Sequence, residues 1–194
     1  GRTSGVALPS SEQQATLLAS LYDGFAIDPD RLAFIEAHGT GTLVGDPAEA
    51  NALGTTLGRR RSQPLPIGSA KSNVGHLEPA SGIVGLLKAQ LALEHGLLPR
   101  SLHVEKLNPN IAFDDLNLTV ATEPLALSET GATPHLAGIN NFGFGGTNVH
   151  VVIEGPAQKS GAEVSDSPAE RDVPNRTGTA YREPKLAVLL LLSA

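Results

Sequence analysis

The feature that most constrains this chain is its rhythm. Short apolar runs alternate with helical stretches, and polar, glycine-rich turns separate them. Leu32-Ala33-Phe34-Ile35 is too short for a helix and reads as a buried strand. It runs directly into Glu36-Ala37-His38-Gly39-Thr40-Gly41-Thr42, a Gly/Thr-rich turn. Asp46 as N-cap, Pro47 as the first helical residue and Glu49 two places on predict a helix through Leu57, closed by Gly58. Leu65 to Ala70 reads as a second strand, and Lys71-Ser72-Asn73-Val74-Gly75-His76 as a polar loop. A helix is expected from Pro79 to His95, with Gly96 just past its end. Ile83, Val84, Leu86, Leu87, Leu91 and Leu93 make it apolar on most sides, so it should be buried. Strands alternating with helices predict an α/β layered domain around a largely buried sheet.

The same reading extends to both ends. Gly1 to Ser11 is a loop; Ser11 can cap a helix on which Ala15, Leu18, Leu21 and Tyr22 recur at helical spacing. Beyond Pro99, Leu118 to Ala121 and Leu136 to Asn140 are short strands. The turn Phe142-Gly143-Phe144-Gly145-Gly146-Thr147-Asn148 feeds a β-branched strand, Val149 to Glu154. Composition shifts at Gly155-Pro156, and from there to Pro184 the chain has almost no large apolar residue and reads as a linker. It ends in Leu186 to Leu192, a strand with no evident partner inside the chain. Two units follow: a domain over 1–155 and a linker over 156–194.

Composition removes several classes of function. With 0 Cys there is no disulfide framework, thiolate metal site or thiol nucleophile. No apolar run approaches the ~18 residues of a membrane-spanning helix. The net charge of −6 offers no phosphate-tracking stripe, so no nucleic acid is expected, and Arg59-Arg60-Arg61 reads as a solvated helix end. The chain starts at Gly1 and contains 0 Met, which reads as a piece of something longer.

Chemistry can gather in three places. His38 stands just beyond a strand end, where such sheets carry functional residues, and Gly39 and Gly41 allow a ligand close approach. Thr40 and Thr42 add hydroxyls to the same turn. His76 precedes the long apolar helix, whose positive end disfavours imidazolium, and Lys71 adds positive potential nearby. The turn from Gly143 to Asn148 can converge backbone N–H groups on developing negative charge. Two neutral imidazoles, a cation and an amide nest suit carbonyl or carboxylate chemistry, but the set lacks a nucleophile.

These stretches, in this order, resemble the successive signatures of a β-ketoacyl synthase: Glu36 to Thr42, Gly45-Asp46-Pro47, Lys71 to His76, and Asn141 to Asn148. The variety resembled is the ketosynthase domain of modular polyketide synthases, from Gly1 to about Glu154. The resemblance implies the C-terminal half of a thiolase-like αβαβα domain that dimerises. The nucleophilic Cys would lie in the N-terminal half, which fits its absence here. It further implies that His38 assists decarboxylation of a malonyl-type extender, that His76 hydrogen-bonds the thioester carbonyl, and that Lys71 orders the site. Thr40 and Thr42 would bind the phosphopantetheine arm of an acyl carrier protein, with no other cofactor. The backbone N–H of Phe144 would form half an oxyanion hole and its ring a gate, with Gly145 beside it. The tail resembles the connection to an acyltransferase domain, and a cytoplasmic location follows. Pro79 departs from the small residues usual at its place, harmlessly for a first-turn proline.

Other readings fare worse. Gly39-x-Gly41-x-x-x-Gly45 is one residue too long for a dinucleotide fingerprint, and Asp46 and Glu49 would repel a pyrophosphate. The six His include no His-x-x-x-His pair that would suggest a metal site. The serious rival is a non-catalytic structural or docking fragment.

Overall fold

A computed structural model of the chain describes residues 9–127, 135–156 and 187–193. The predicted N-terminal loop up to residue 8 and the predicted linker from residue 157 to 184 lie outside the described residues. The first helix, α1 (Ser11–Gly24), buries Leu17, Leu18, Leu21 and Tyr22. Its cap is Ser10, not Ser11: the Ser10 hydroxyl accepts the Gln13 N–H at 3.3 Å. Strand β1 (Leu32–Glu36) follows, then α2 (Gly45–Thr56), β2 (Leu65–Gly68), the single-turn helix α3 (Lys71–Val74) and α4 (Ser81–His95). Short strands β3 (Leu97–Leu98), β4 (Leu118–Val120) and β5 (Leu125–Ala126) precede the long hairpin β6 (Leu136–Phe142) and β7 (Asn148–Glu154), and β8 (Ala187–Ser193) comes last.

The main sheet has the order β4-β2-β1-β6-β7-β8. The first four strands are parallel, and β7 and β8 add antiparallel at one edge. Both faces are covered, as a parallel sheet requires. On one face Leu18, Leu21 and Tyr22 of α1 and Ala52, Leu53 and Leu57 of the α2 region meet Leu32, Ile35 and Leu65. On the other, Ala89, Ala92 and Leu93 of α4 meet Phe34, Ala137, Ile139 and Ile153. The result is a layered α/β fold with β1 near its centre.

Five local expectations are corrected. Lys71 to Val74 is a helical turn and not a loop, closed by Gly75 at φ +70°. Asp46 does not cap α2, which starts from Val44 without a side-chain cap, so no capping box forms there. Gly58 does not terminate that helix in a left-handed conformation; it opens a 3-10 turn, Gly58–Arg60. A Cβ there would overlap the Leu116 carbonyl oxygen, so close approach of backbone to backbone requires the glycine. Arg61 is half-buried and not solvated: its guanidinium donates to the carbonyls of Pro29 and Leu32. The terminal strand β8 has a partner after all, pairing with β7 from Asn148↔Ser193 to Glu154↔Ala187.

One face stays open. Ile83, Leu87 and Leu91, four residues apart along α4, are 61%, 52% and 51% exposed. A soluble chain rarely leaves such a stripe uncovered, and half of a five-layer domain would. Among the described residues no helix is long and apolar enough to cross a membrane.

Gly58→Ala should destabilise the fold by about 1–3 kcal/mol, because the obstructing atom belongs to the backbone and no rotamer change relieves it. Thermal unfolding reads the loss, and an unchanged midpoint would contradict the packing described.

Candidate active site

The site forms where β1 ends. The Ala37 N–H still donates to the Gly68 carbonyl at 2.8 Å, and then the chain leaves the sheet. The backbone N–H groups of His38 and Gly39 both donate to the Glu49 carboxylate, at 2.8 and 2.9 Å. Gly39 has φ +44°, and a Cβ on it would lie 2.9 Å from the Ser69 Cβ. Conformation and crowding therefore both require glycine at that position. Asp46, freed from capping, accepts the Gly41 N–H at 3.0 Å, and the Thr42 hydroxyl accepts the Gly45 N–H at 3.0 Å.

His38 and His76 come together. Their ring centroids are 5.5 Å apart and the rings are nearly perpendicular, at 87°. Each ring has its Nδ1 occupied by an internal donor. The Phe142 N–H points at His38 Nδ1 at 3.4 Å. The Glu78 N–H and the Ser81 hydroxyl both lie 3.0 Å from His76 Nδ1. An N–H aimed at Nδ1 requires a lone pair there, so in the neutral ring the proton sits on Nε2. In each ring Nε2 is thus the nitrogen left to donate, and Asn141 makes a side-chain hydrogen bond with His38. Burial pushes His38 down to about 4, the neighbouring Lys71 and His76 act in the same direction, and an Asn141 hydrogen bond acts the other way.

Lys71 opens α3 and is half-buried. Burial lowers its pKa, while Glu36 and Glu49 oppose the shift. The predicted glycine turn is also adjacent, since it starts at Phe142, whose N–H meets His38. The turn is closed by Gly143 N–H to the Thr147 carbonyl at 2.8 Å, and Gly145 and Gly146 take φ of +81° and +88°. The three sequence-predicted constellations therefore share one locality. Thr42 differs from expectation in one respect: its hydroxyl oxygen is engaged inside its own turn.

Sequence reasoning missed the frame behind these groups. Asn140 Nδ2 donates to Glu49 at 2.8 Å, which leaves Asn140 Oδ1 facing His150 Nδ1 at 2.6 Å. His150 must then donate from Nδ1 and accept at Nε2 from the Tyr22 hydroxyl, 3.1 Å away. Tyr22, His150, Asn140 and Glu49 are all buried, and their hydrogen bonds run in one direction to a carboxylate. Burial pushes His150 down to about 3 and raises the Tyr22 hydroxyl well above its ordinary value. Burial also raises Glu49, against the donors from Gly39, Asn140 and His38. A signal did exist for His150: alternation along β7 puts it on the face shared with Asn148 and Val152.

The fold and the motifs gathered here are those of the β-ketoacyl synthase family. The family described as "Beta-ketoacyl synthase, C-terminal domain" matches residues 1–105, and "Ketoacyl-synthetase C-terminal extension" matches 108–187. The chain belongs to this family, as the C-terminal ketosynthase portion of a polyketide synthase. It is 46% identical over 172 residues to one component of the phenolphthiocerol/phthiocerol polyketide synthase of Mycobacterium tuberculosis, covering 88% of this chain and 9% of that protein. It is 43% identical to the hybrid PKS-NRPS synthetase pyvA of Aspergillus violaceofuscus, covering 88% of this chain and 4% of that one. Among solved structures, ketosynthase twelve of the bacillaene polyketide synthase from Bacillus amyloliquefaciens superposes with TM-score 0.75 at 38% identity, over 80% of this chain and 28% of that one. The ketosynthase from module 6 of the bacillaene synthase of Bacillus subtilis gives 0.76 at 36%, over 80% and 28%. The chain thus spans under a third of those ketosynthases and under a tenth of the curated relatives.

Two outcomes are expected. A proton NMR titration should place the His38 midpoint near 4. Between pH 6.5 and about 4 the unfolded chain would take up a proton that the folded chain refuses, so stability should fall as pH is lowered through that window. Tyr22→Phe should cost about 1–3 kcal/mol, because His150 Nε2 is left buried without a donor; denaturant unfolding measures it.

Proposed function

We propose that this chain supplies the decarboxylation and enolate-stabilising part of a polyketide synthase condensing site. The observation that carries the reading is the paired imidazoles, each with Nδ1 facing an internal donor and Nε2 left to donate, beside Lys71 and the glycine turn. Both rings then offer hydrogen bonds to a carbonyl oxygen that gains negative charge, which is where preorganised donors act most strongly.

In this reading an acyl chain sits as a thioester on a Cys of the missing N-terminal half. A malonyl-type extender arrives on the phosphopantetheine arm of an acyl carrier protein and is substrate, not resident cofactor. Thr40 and Thr42 hold that arm. His38 assists loss of the carboxylate as carbon dioxide, and the electron pair left behind forms an enolate whose oxygen takes a hydrogen bond from His76. The enolate carbon attacks the acyl thioester carbon, a C–C bond forms, and the Cys leaves as thiolate. The Phe144 N–H holds the oxyanion of that second step, and Gly145 shapes its turn. Lys71 supplies fixed positive potential. The partners are the Cys-bearing half, the carrier protein, an adjacent acyltransferase domain and a second ketosynthase copy, in the cytoplasm. A purely structural fragment has no use for a pair of facing imidazoles over a buried carboxylate frame.

The chain alone should form no β-ketoacyl product, and condensation should return when a Cys-bearing half is supplied, fused or in trans. Turnover by this chain alone would refute the assignment. In the assembled enzyme, His76→Ala should abolish decarboxylation and condensation while Cys acylation persists; loss of acylation instead would overturn the role given to His76.

A further inference from the structure

Behind Lys71 lies a second buried carboxylate, and the reaction proposed above does not use it. Glu36 ends β1 and is 2% exposed. Its Oε1 accepts the Ala70 N–H at 2.6 Å, and its Oε2 meets the Lys88 ammonium at 2.6 Å. Ala70 is the residue from which α3 starts, so this contact fixes the backbone immediately before Lys71. Lys88 comes from α4, three residues beyond Gly85. That spacing puts both on one helix face. Gly85 forms the notch: a Cβ there would lie 3.2 Å from Glu36 Cγ and 3.8 Å from Glu36 Oε1. Helix α4 thus presents Glu36 with a gap to enter and a cation to meet.

Packing alone does not call for charge in this place. Apolar side chains of similar volume often replace a buried ion pair at no cost in stability, whereas removing one partner leaves an uncompensated charge. We propose that the Glu36–Lys88 pair is a positioning device for Lys71, with Glu36 anchoring the start of α3 and setting the negative charge that the Lys71 ammonium faces, and Lys88 limiting that charge. The catalytic meaning of this device rests on the ketosynthase reading; its geometry does not.

The titratable groups around Lys71 come from several elements. Glu36 ends β1, Glu49 lies on α2, His38 follows β1 and His76 follows α3. Glu49 is held by backbone N–H groups and by Asn140, whereas the only side-chain partner of Glu36 among the described residues is Lys88. Changing Glu36 or Lys88 should therefore alter the field at Lys71 in opposite senses. Removing the carboxylate removes attraction for the ammonium. Removing Lys88 leaves the carboxylate unshared and removes a repelling cation.

Competitive labelling with acetic anhydride across pH, read by mass spectrometry of peptides, gives a titration midpoint for each lysine. It should be run on the ketosynthase assembled with its Cys-bearing half. Glu36→Gln should lower the Lys71 midpoint by about one pH unit and Lys88→Met should raise it by a smaller amount, with Lys106 unmoved in both. Lys88→Arg, which keeps the charge, should restore the wild-type midpoint. If a single variant fails to fold, the double change E36Q/K88M leaves no lone buried charge, and it should lower the midpoint because the nearer charge is lost. Shifts in the same direction for the two single variants, or no shift, would overturn the proposal, as would a double variant with an unmoved midpoint. Labelling needs no turnover, so opposed shifts without condensation would sink the ketosynthase reading and keep the positioning pair. Where condensation is present, the alkaline limb of its pH profile should move with the Lys71 midpoint.

Discussion

The site depends on one carboxylate. Glu49 sits wholly inside the protein and takes the backbone N–H groups of His38 and Gly39 on its two oxygens. A buried charge is costly unless its hydrogen-bonding capacity is filled, and here three N–H donors fill it. The cost and the remedy together fix the backbone where β1 turns away from the sheet. His38 cannot drift without stripping donors from a buried anion. The same logic runs outward, because serving Glu49 with its Nδ2 turns the Asn140 Oδ1 toward His150, which fixes the His150 tautomer and makes Tyr22 the donor. Four elements, α1, α2, β6 and β7, are locked in register by a chain of polar atoms with a single allowed direction.

This frame also assigns charge states. Burial disfavours imidazolium at His38, and the nearby Lys71 cation disfavours it further. His38 is therefore a neutral hydrogen-bond donor beside the Lys71 cation. Separating these tasks matters for enolate chemistry. A donor that keeps its proton stabilises negative oxygen throughout, whereas a cation that could lose its proton to the enolate would quench it.

Much of this was legible in the sequence. The strand–turn–helix order, the approach of His38, His76 and the glycine turn, and the α/β layering all follow from patterns that local propensity and tertiary packing favour together. Misreadings cluster where one residue had two possible partners. Asp46 and Glu49 have the spacing of helix caps, but the neighbouring loop offers N–H groups they satisfy instead. Gly58 follows a helix and looks like its terminator, yet its role is set by Leu116, far away in sequence. Arg61 reads as solvated until the carbonyls of Pro29 and Leu32 are brought to it. Lys88 stood inside an apolar helix as the one charge that needed a buried partner, and only the sheet order puts Glu36 there.

The two polar devices lie on opposite sides of β1, and this explains the divided surface of the molecule. Glu49 is reached from α2 and Glu36 from α4, so each helix layer contributes one contact to the strand end that carries His38. The α2 side is closed by α1. The α4 side is not: beyond the face that holds Gly85, Lys88 and Ala89 runs the exposed stripe of Ile83, Leu87 and Leu91. A helix with one face ordering a buried ion pair and another left apolar is built to be an inner layer. Whatever packs on that stripe bears on the same helix that holds Lys88 against Glu36.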